Sequence, residues 1–315
     1  MNHGGSLGMA KKHVLKAKDS NADMAKLQTY VTEKLQHPLS PSYESCHNME
    51  LTFRQQEELF VFARENNVTL FSTPYDFQSV DFLEEMDVPA FKIASMDVNN
   101  IPFLEYIGSK GRPVMLSTGL STLSEIGRAV RIIKKTNENL ILLYCVSNYP
   151  AQAQDISLKA ISQLQETFNC PVGLSDHSLG LELAIAAAAM GAVVIEKHFT
   201  VDKDLAKQFP DADHDISLDP HELASLAGAV SNVYEAIKGE PSFPGESEKE
   251  WRELMRRGIY ASRNLEKGVT ISSEDIKFLR PQEGTLGLED LDWIMGKRLK
   301  EPVKENSSFK KGILE

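Results

Sequence analysis

Gly173-Leu174-Ser175-Asp176-His177-Ser178 and Glu196-Lys197-His198-Phe199-Thr200 decide the fold of this chain. Each motif ends a short apolar run that reads as a buried strand, Val172–Leu174 and Val193–Glu196, and an alanine-rich helical stretch, Leu181–Met190, lies between them. If the runs are neighbouring parallel strands, His177 and His198 emerge at the same sheet edge. Imidazole is the commonest protein ligand for a borderline divalent metal. An ion held by only two protein ligands keeps positions open for water and substrate, which a Lewis-acid site needs.

The same pattern repeats towards the N-terminus. Further strand candidates are Met24–Gln28, Thr69–Ser72, Ala90–Ala94, Val114–Ser117 and Leu140–Cys145. Helical stretches such as Leu7–Lys18, Thr52–Asn66, Ser121–Lys135 and Ser157–Phe168 alternate with them. This alternation predicts parallel βαβ units. Nearly every strand ends in polar residues, as in Lys26-Leu27-Gln28-Thr29, Ser72-Thr73-Pro74, Lys92-Ile93-Ala94-Ser95, Ser117-Thr118-Gly119 and Ser147-Asn148-Tyr149-Pro150. Polar groups at successive carboxyl ends point to an α/β chain folded as a (β/α)8 TIM barrel, whose active face lies there. An open doubly wound sheet would gather its site at one switch point. Only about seven strands are countable. The opening Asn2-His3-Gly4-Gly5 reads as a strand-to-helix turn with no strand before it. The expectation is a barrel lacking its first strand in this chain.

Residues 238–246, Lys-Gly-Glu-Pro-Ser-Phe-Pro-Gly-Glu, are rich in proline, glycine and charge. The organisation read from this is a barrel over 1–238, a linker over 239–255 and a small domain over 256–315. The small domain carries β-like pieces at Ile259–Ala261 and Ile276–Leu279 and a short helix at Leu288–Ile294. Its few large apolar residues predict a marginal domain that gains stability by packing against something. The polar excursion Gln36–Asn48 reads as a lid or a surface loop.

Of 315 residues, 42% are hydrophobic and 25% charged, so there is material for one large core. The formal net charge of -11 leaves no global basic footprint for nucleic acid. An anionic substrate must rely on local lysines or arginines. The three cysteines, Cys46, Cys145 and Cys170, are odd in number and widely spaced, which fits a reducing compartment. Cys145 ends an apolar run and reads as a buried thiol. No run approaches the roughly 18 apolar residues of a membrane span, and no signal peptide opens the chain. A cytoplasmic location without membrane partners is expected.

Together these motifs resemble the sialic acid (N-acetylneuraminate and nonulosonic acid) synthase family, over nearly the whole chain. The tail resembles the antifreeze-like, β-clip SAF domain that such enzymes carry after the barrel. The resemblance implies condensation of phosphoenolpyruvate with an N-acylated hexosamine such as N-acetylmannosamine, by C–O cleavage, to a nonulosonic acid and phosphate. It also implies a divalent metal, Mn2+ first, with Mg2+ or Co2+ as alternatives. A domain-swapped homodimer is implied as well, each small domain covering the partner's barrel mouth.

On this resemblance His177 and His198 are the metal ligands. Lys26 and Lys92 clamp the phosphate and carboxylate as point charges. A lysine on a buried strand is unusual, because an unpaired ammonium there is costly. Thr73, Ser95, Ser117 and Ser147 supply hydroxyls at the same level. The family often has asparagine where Ser147 stands, with Asn148 next to it. Glu196 shares the face of His198 on a strand. It either orients a sugar hydroxyl or shuttles a proton, or it balances the charge of Lys26 or Lys92. Gln28 and Tyr149 are sugar-contact or packing residues. Asp213 lies in Asp211-Ala212-Asp213-His214, where the family has Gly-Pro-Asp-His, and is expected to reach the sugar. Arg280, in Phe278-Leu279-Arg280-Pro281, aligns with a family arginine that crosses the dimer to the acyl group; the alternative is a surface arginine. The acceptor stays open among N-acetylmannosamine, 6-deoxy diacetamido sugars and spore-coat-type sugars.

The family also places a glutamate on the first strand, which this chain does not show before Asn2. Reduced stability or activity is the expectation. Two rivals follow: a related condensation with a phosphorylated aldose, and a catalytically impaired sugar-binding or scaffold subunit.

Overall fold

The computed structural model describes residues 1–282 and 284–315 and divides into two compact units, Met1–Lys238 and Gly239–Glu315. The first unit is built on seven parallel strands. These are β1 (Ala25–Thr29), β2 (Leu70–Pro74), β3 (Phe91–Ile93), β4 (Val114–Ser117), β5 (Leu140–Cys145), β6 (Val172–Asp176) and β7 (Ile195–Lys197). They follow one another in sequence order across a single sheet. Strands β2, β3, β4 and β6 are buried along their whole length, which is why they read as apolar runs rather than as alternating ones.

Helices connect the strands: α1 (Leu7–Asp19), α2 (Thr32–Leu35), α3 (Tyr43–Met49), α4 (Phe53–Glu65), α5 (Phe77–Glu85), α6 (Ile101–Ser109), α7 (Leu123–Lys134), α8 (Lys159–Phe168), α9 (Glu182–Ala189) and α10 (Pro220–Ile237). Capping boxes start three of them, Thr52 with Gln55, Thr122 with Glu125 and Asp219 with Glu222. Each satisfies backbone N–H groups that the first turn leaves unpaired. The apolar faces of α4 to α8 pack on the sheet in one core, with Leu59, Phe91, Leu104, Leu116, Ile133 and Ile161 all fully buried.

The sheet is curled. Lys26 on β1 and Glu196 on β7, at its two edges, form an ion pair of 3.0 Å. Only a curl of the sheet brings edge strands that close, and the arrangement is consistent with a TIM-like barrel. Among the described residues no strand joins β7 to β1. Beyond β7, Phe199 bridges Leu218 and so ties the following loop back to the sheet.

The second unit holds α11 (Glu246–Met255), the antiparallel pair β8 (Gly258–Ala261) and β9 (Ile276–Leu279), and α12 (Leu291–Ile294). It has its own core, including Ile259, Leu265, Ile271, Leu299 and Phe309. The few large apolar residues therefore still close around one another. Residues 239–255, expected as a linker, carry helix α11. None of its residues is buried. The excursion Gln36–Asn48 runs into α3, whose Cys46 and Met49 are buried, so it is more than loop.

Candidate active site

A cavity of about 340 Å³ opens at the carboxyl ends of the strands. Strand alternation decides which side chains reach it. Lys26 and Gln28 come from β1, Lys92 from β3 and Ser117 from β4. Ser175 comes from β6 and His177 from the residue just after it; Glu196 comes from β7 and His198 from the residue just after it. Thr73, Ser95, Ser147, Tyr149 and Asp213 complete the expected residues that line it.

Asn148 does not reach the cavity. It is exposed between Ser147 and Tyr149, as alternation along an extended segment dictates. Arg280 belongs to the second unit, where its guanidinium lies against the Met255 sulfur at 3.7 Å.

Glu196 sits between the two lysines. Its Oε2 is 3.0 Å from Lys26 Nζ and its Oε1 3.5 Å from Lys92 Nζ. Ser175 Oγ donates to the same Oε1 at 2.8 Å, and Lys92 Nζ donates to Ser117 Oγ at 2.7 Å. Burial alone would raise the Glu196 carboxyl; Lys26 and then Lys92 outweigh it and hold the group well below the usual carboxylate range. Burial pushes Lys92 down to about 8, with Glu196 opposing and Lys26 adding to the fall. The expected charge balance between Glu196 and the lysines is therefore present, and it leaves two ammonium groups facing one cavity.

The hydroxyls gather around a glycine. Gly119 N–H donates to Ser95 Oγ at 3.0 Å. A Cβ on Gly119 would stand 2.3 Å from Ser147 Oγ and 2.9 Å from Ser95 Oγ, so only glycine lets the backbone come this close. The Gly119 backbone, Ser95, Ser117 and Ser147 form a polar cradle beside Lys92.

The two imidazoles are held in matching ways. His177 Nδ1 lies 2.9 Å from the Val146 carbonyl, which can only accept. The hydrogen is therefore on Nδ1 and the lone pair on Nε2. His198 Nδ1 lies 3.2 Å from Asp213 Oδ2, with the same consequence. Anchoring one ring nitrogen on a carbonyl or carboxylate is the usual way of presenting the other to a metal. The ring centroids are 5.2 Å apart. Burial leads the shifts at both rings. It lowers His198, with Asp213 opposing. At His177 the Cys145 sulfur and the Val146 carbonyl outweigh it, and the net direction is upward. Tyr149 lies over His177 with centroids 4.2 Å apart and meets His198 edge-on at 5.7 Å. Among the described residues no three His, Cys, Asp or Glu side chains converge into a full coordination set. The two imidazole Nε2 atoms are the donors here that a divalent ion could take, with its other positions left to water and substrate.

Sequence reasoning missed several cavity residues. Tyr75, Ala94, Met96, Leu120, Cys145 and Ser175 also line it. Ser175 and Tyr75 were open to alternation, each two residues from an expected one. Cys145 is buried, as expected, but its Sγ approaches His177 Nδ1 and Ser147 Oγ at 3.7 Å each. Asn2 reads in the sequence only as part of the opening turn Asn2-His3-Gly4-Gly5, with no role at the site. Its amide donates to Phe199 O at 2.9 Å and to Ser217 Oγ at 2.8 Å, and its Oδ1 accepts from Asp213 N–H at 3.0 Å. It thereby fixes the loop that carries Asp213.

The profile of the NeuB family matches residues 13–241, and that of the SAF domain residues 256–312. This chain belongs to the NeuB family. N,N'-diacetyllegionaminic acid synthase of Legionella pneumophila is 37% identical over 318 residues, covering 95% of this chain and 88% of that relative. N-acetylneuraminate-9-phosphate synthase of Homo sapiens is 30% identical over 328 residues, covering 100% and 90%. The N-acetylneuraminic acid (sialic acid) synthetase of Leptospira borgpetersenii, solved with citrate, superposes with a TM-score of 0.74 at 35% identity, covering 81% of this chain and 89% of that one. These NeuB-type homologues are nonulosonic acid synthases, which supports a synthase function for the chain. Among the described residues no helix is long and apolar enough to cross a membrane.

Proposed function

We propose that the chain condenses phosphoenolpyruvate with an N-acylated hexosamine, N-acetylmannosamine or a diacetamido relative, to give a nonulosonic acid and phosphate. The observation that carries this reading is the convergence of Lys26, Lys92 and Glu196 with two Nδ1-anchored imidazoles in one cavity. Two ammonium groups and a hydroxyl cradle suit a small, multiply charged anion.

In this reading Lys26 and Lys92 hold the phosphate and carboxylate, and Thr73, Ser95, Ser117 and Ser147 donate to the remaining oxygens. Positioning and charge stabilisation are the largest effects such a site offers. The methylene carbon of phosphoenolpyruvate attacks the open-chain sugar's aldehyde carbon. Water adds to the cationic carbon left at the former enol position. The tetrahedral species then expels phosphate together with the enol oxygen, so the C–O bond breaks. Glu196, kept ionised between its lysines, accepts hydrogen bonds rather than donating a proton, and so orients a sugar hydroxyl.

His177 and His198 would hold a divalent ion, Mn2+ first, with Mg2+ or Co2+ as alternatives. Bound there, it would polarise the aldehyde oxygen as a Lewis acid. Asp213 orients His198 and faces the sugar. The proposal includes a homodimer in which Arg280 serves the partner's acceptor site.

The finer reading of the sheet, a barrel without its opening strand, also belongs to this proposal. It is supported by the absence, among the described residues, of any strand shared by β1 and β7. A second reading is a sugar-binding subunit without turnover. Calorimetry that detects sugar binding while no phosphate is released would select it.

Phosphoenolpyruvate carrying oxygen-18 in the bridging position tests the chemistry. The label is expected in phosphate; label retained in the sugar acid would reject the route.

A further inference from the structure

Asp176 and Lys197 are directly opposite in the register of β6 and β7. Their immediate neighbours, Ser175 and His177 on one strand and Glu196 and His198 on the other, line the cavity, whereas neither of these two does. Alternation sends the pair to the opposite face of the sheet. There Lys197 Nζ meets Asp176 Oδ2 at 3.0 Å, with 2% and 0% of the two side chains exposed. Replacing a buried ion pair by apolar residues of similar volume is often neutral or stabilising. Stability alone therefore does not account for the pair.

Its further bonds point to another role. Lys197 Nζ donates to Ser178 O at 2.6 Å. Asp176 Oδ1 accepts from Ser178 N–H at 2.8 Å and from Ser178 Oγ at 2.7 Å. The segment 176–178, with His177 at its centre, is thus held from both sides by the pair. Lys197 is itself bonded in sequence to His198. One buried contact consequently links the backbone origins of both imidazoles.

We infer that Asp176 and Lys197 are positioning residues that set the spacing of His177 and His198 for a divalent cation. This rests on the two-imidazole reading given above. Neither residue touches substrate; both act through the histidines.

The test is calorimetric titration of the full chain with Mn2+ alone, alongside thermal melting. The paired variant Asp176→Leu/Lys197→Met removes both charges and keeps the apolar volume. It is expected to melt at or near the parent temperature while binding Mn2+ about 10–100-fold more weakly, the usual effect of losing groups that orient metal ligands. Unchanged Mn2+ affinity in the folded variant overturns the inference and leaves the metal reading intact. A parent chain that binds no Mn2+ overturns both. If the paired variant does not fold, Lys197→Gln removes the charge and shortens the reach to Asp176 and Ser178; weaker Mn2+ binding with an intact fold supports the inference, and parental affinity contradicts it.

Discussion

Lys26 Nζ lies 3.0 Å from Glu196 Oε2, and this one contact joins the first and last strands of the sheet to the centre of the cavity. With Lys92 on the other oxygen, Glu196 makes a Lys–Glu–Lys bridge that keeps two cations side by side. Removing the carboxylate leaves the ammonium groups to repel each other. Glu196→Gln is expected to lower kcat/KM by about 10²–10³-fold, the range seen for losing one preorganised electrostatic group. Steady-state kinetics with the variant checks this; a change of less than about threefold would reduce Glu196 to charge balance.

Lys92 makes the site pH-dependent. Its ammonium is pushed down to about 8, so it is charged below that value and neutral above. Anion binding needs the charged form and is therefore kept below about 8 and lost as the pH rises through it. KM for phosphoenolpyruvate is expected to rise about tenfold per pH unit above this point. Lys92→Arg, which cannot deprotonate, should flatten the rise even if its absolute activity is low. A flat profile in the parent enzyme would contradict the assignment.

Gly119 shows how tightly the hydroxyl cradle is built. A methyl group there meets Ser147 and Ser95. Gly119→Ala should raise KM for phosphoenolpyruvate by about tenfold or more while leaving Mn2+ affinity unchanged, because the clash stays within the cradle. Kinetics and calorimetry on the same variant separate the two effects.

Asp213 and Asn2 act on the other side of the cavity. Asp213→Ala frees His198 and is expected to weaken Mn2+ binding by about 10–100-fold. Asn2→Ala removes the amide that satisfies Phe199 O and Ser217 Oγ and should destabilise the chain by about 1–3 kcal/mol. Thermal melting reads the second effect and calorimetry the first.

Much of this fold was legible in the sequence. The spans Val114–Ser117, Leu140–Cys145 and Ile276–Leu279 match their strands end for end. Val114–Ser117 is buried along its whole length, and such a run marks its own ends; Ile276–Leu279 is half-buried to exposed and is legible from its β-like composition. β1 starts one residue late, at Ala25, because the first ladder bond is Ala25 N–H to Thr69 O and Met24 stays partly exposed. Helix α11 went unread, since the proline and glycine before it dominated the composition, although Trp251, Leu254 and Met255 recur at helical spacing. Within the site, residues at strand ends were readable from alternation, and Asn148 was misplaced by ignoring it. Asn2 depends on partners about 200 positions away, and no local pattern encodes such a contact.

The proposed dimer has its own test. Arg280→Ala and Glu196→Gln damage different groups, and a site shared between protomers would be intact in half of each mixed dimer. Equal mixing of the two inactive variants is then expected to restore about a quarter of the parent activity. No recovery would place Arg280 outside the partner's site.

The most direct measurement is phosphate release from phosphoenolpyruvate with N-acetylmannosamine or a diacetamido sugar, first with Mn2+ and then with a chelator. Sugar-dependent release that the chelator abolishes and Mn2+ restores is the expected result. Release that ignores the chelator would contradict the metal reading, and no release with any of these sugars would contradict the synthase reading itself.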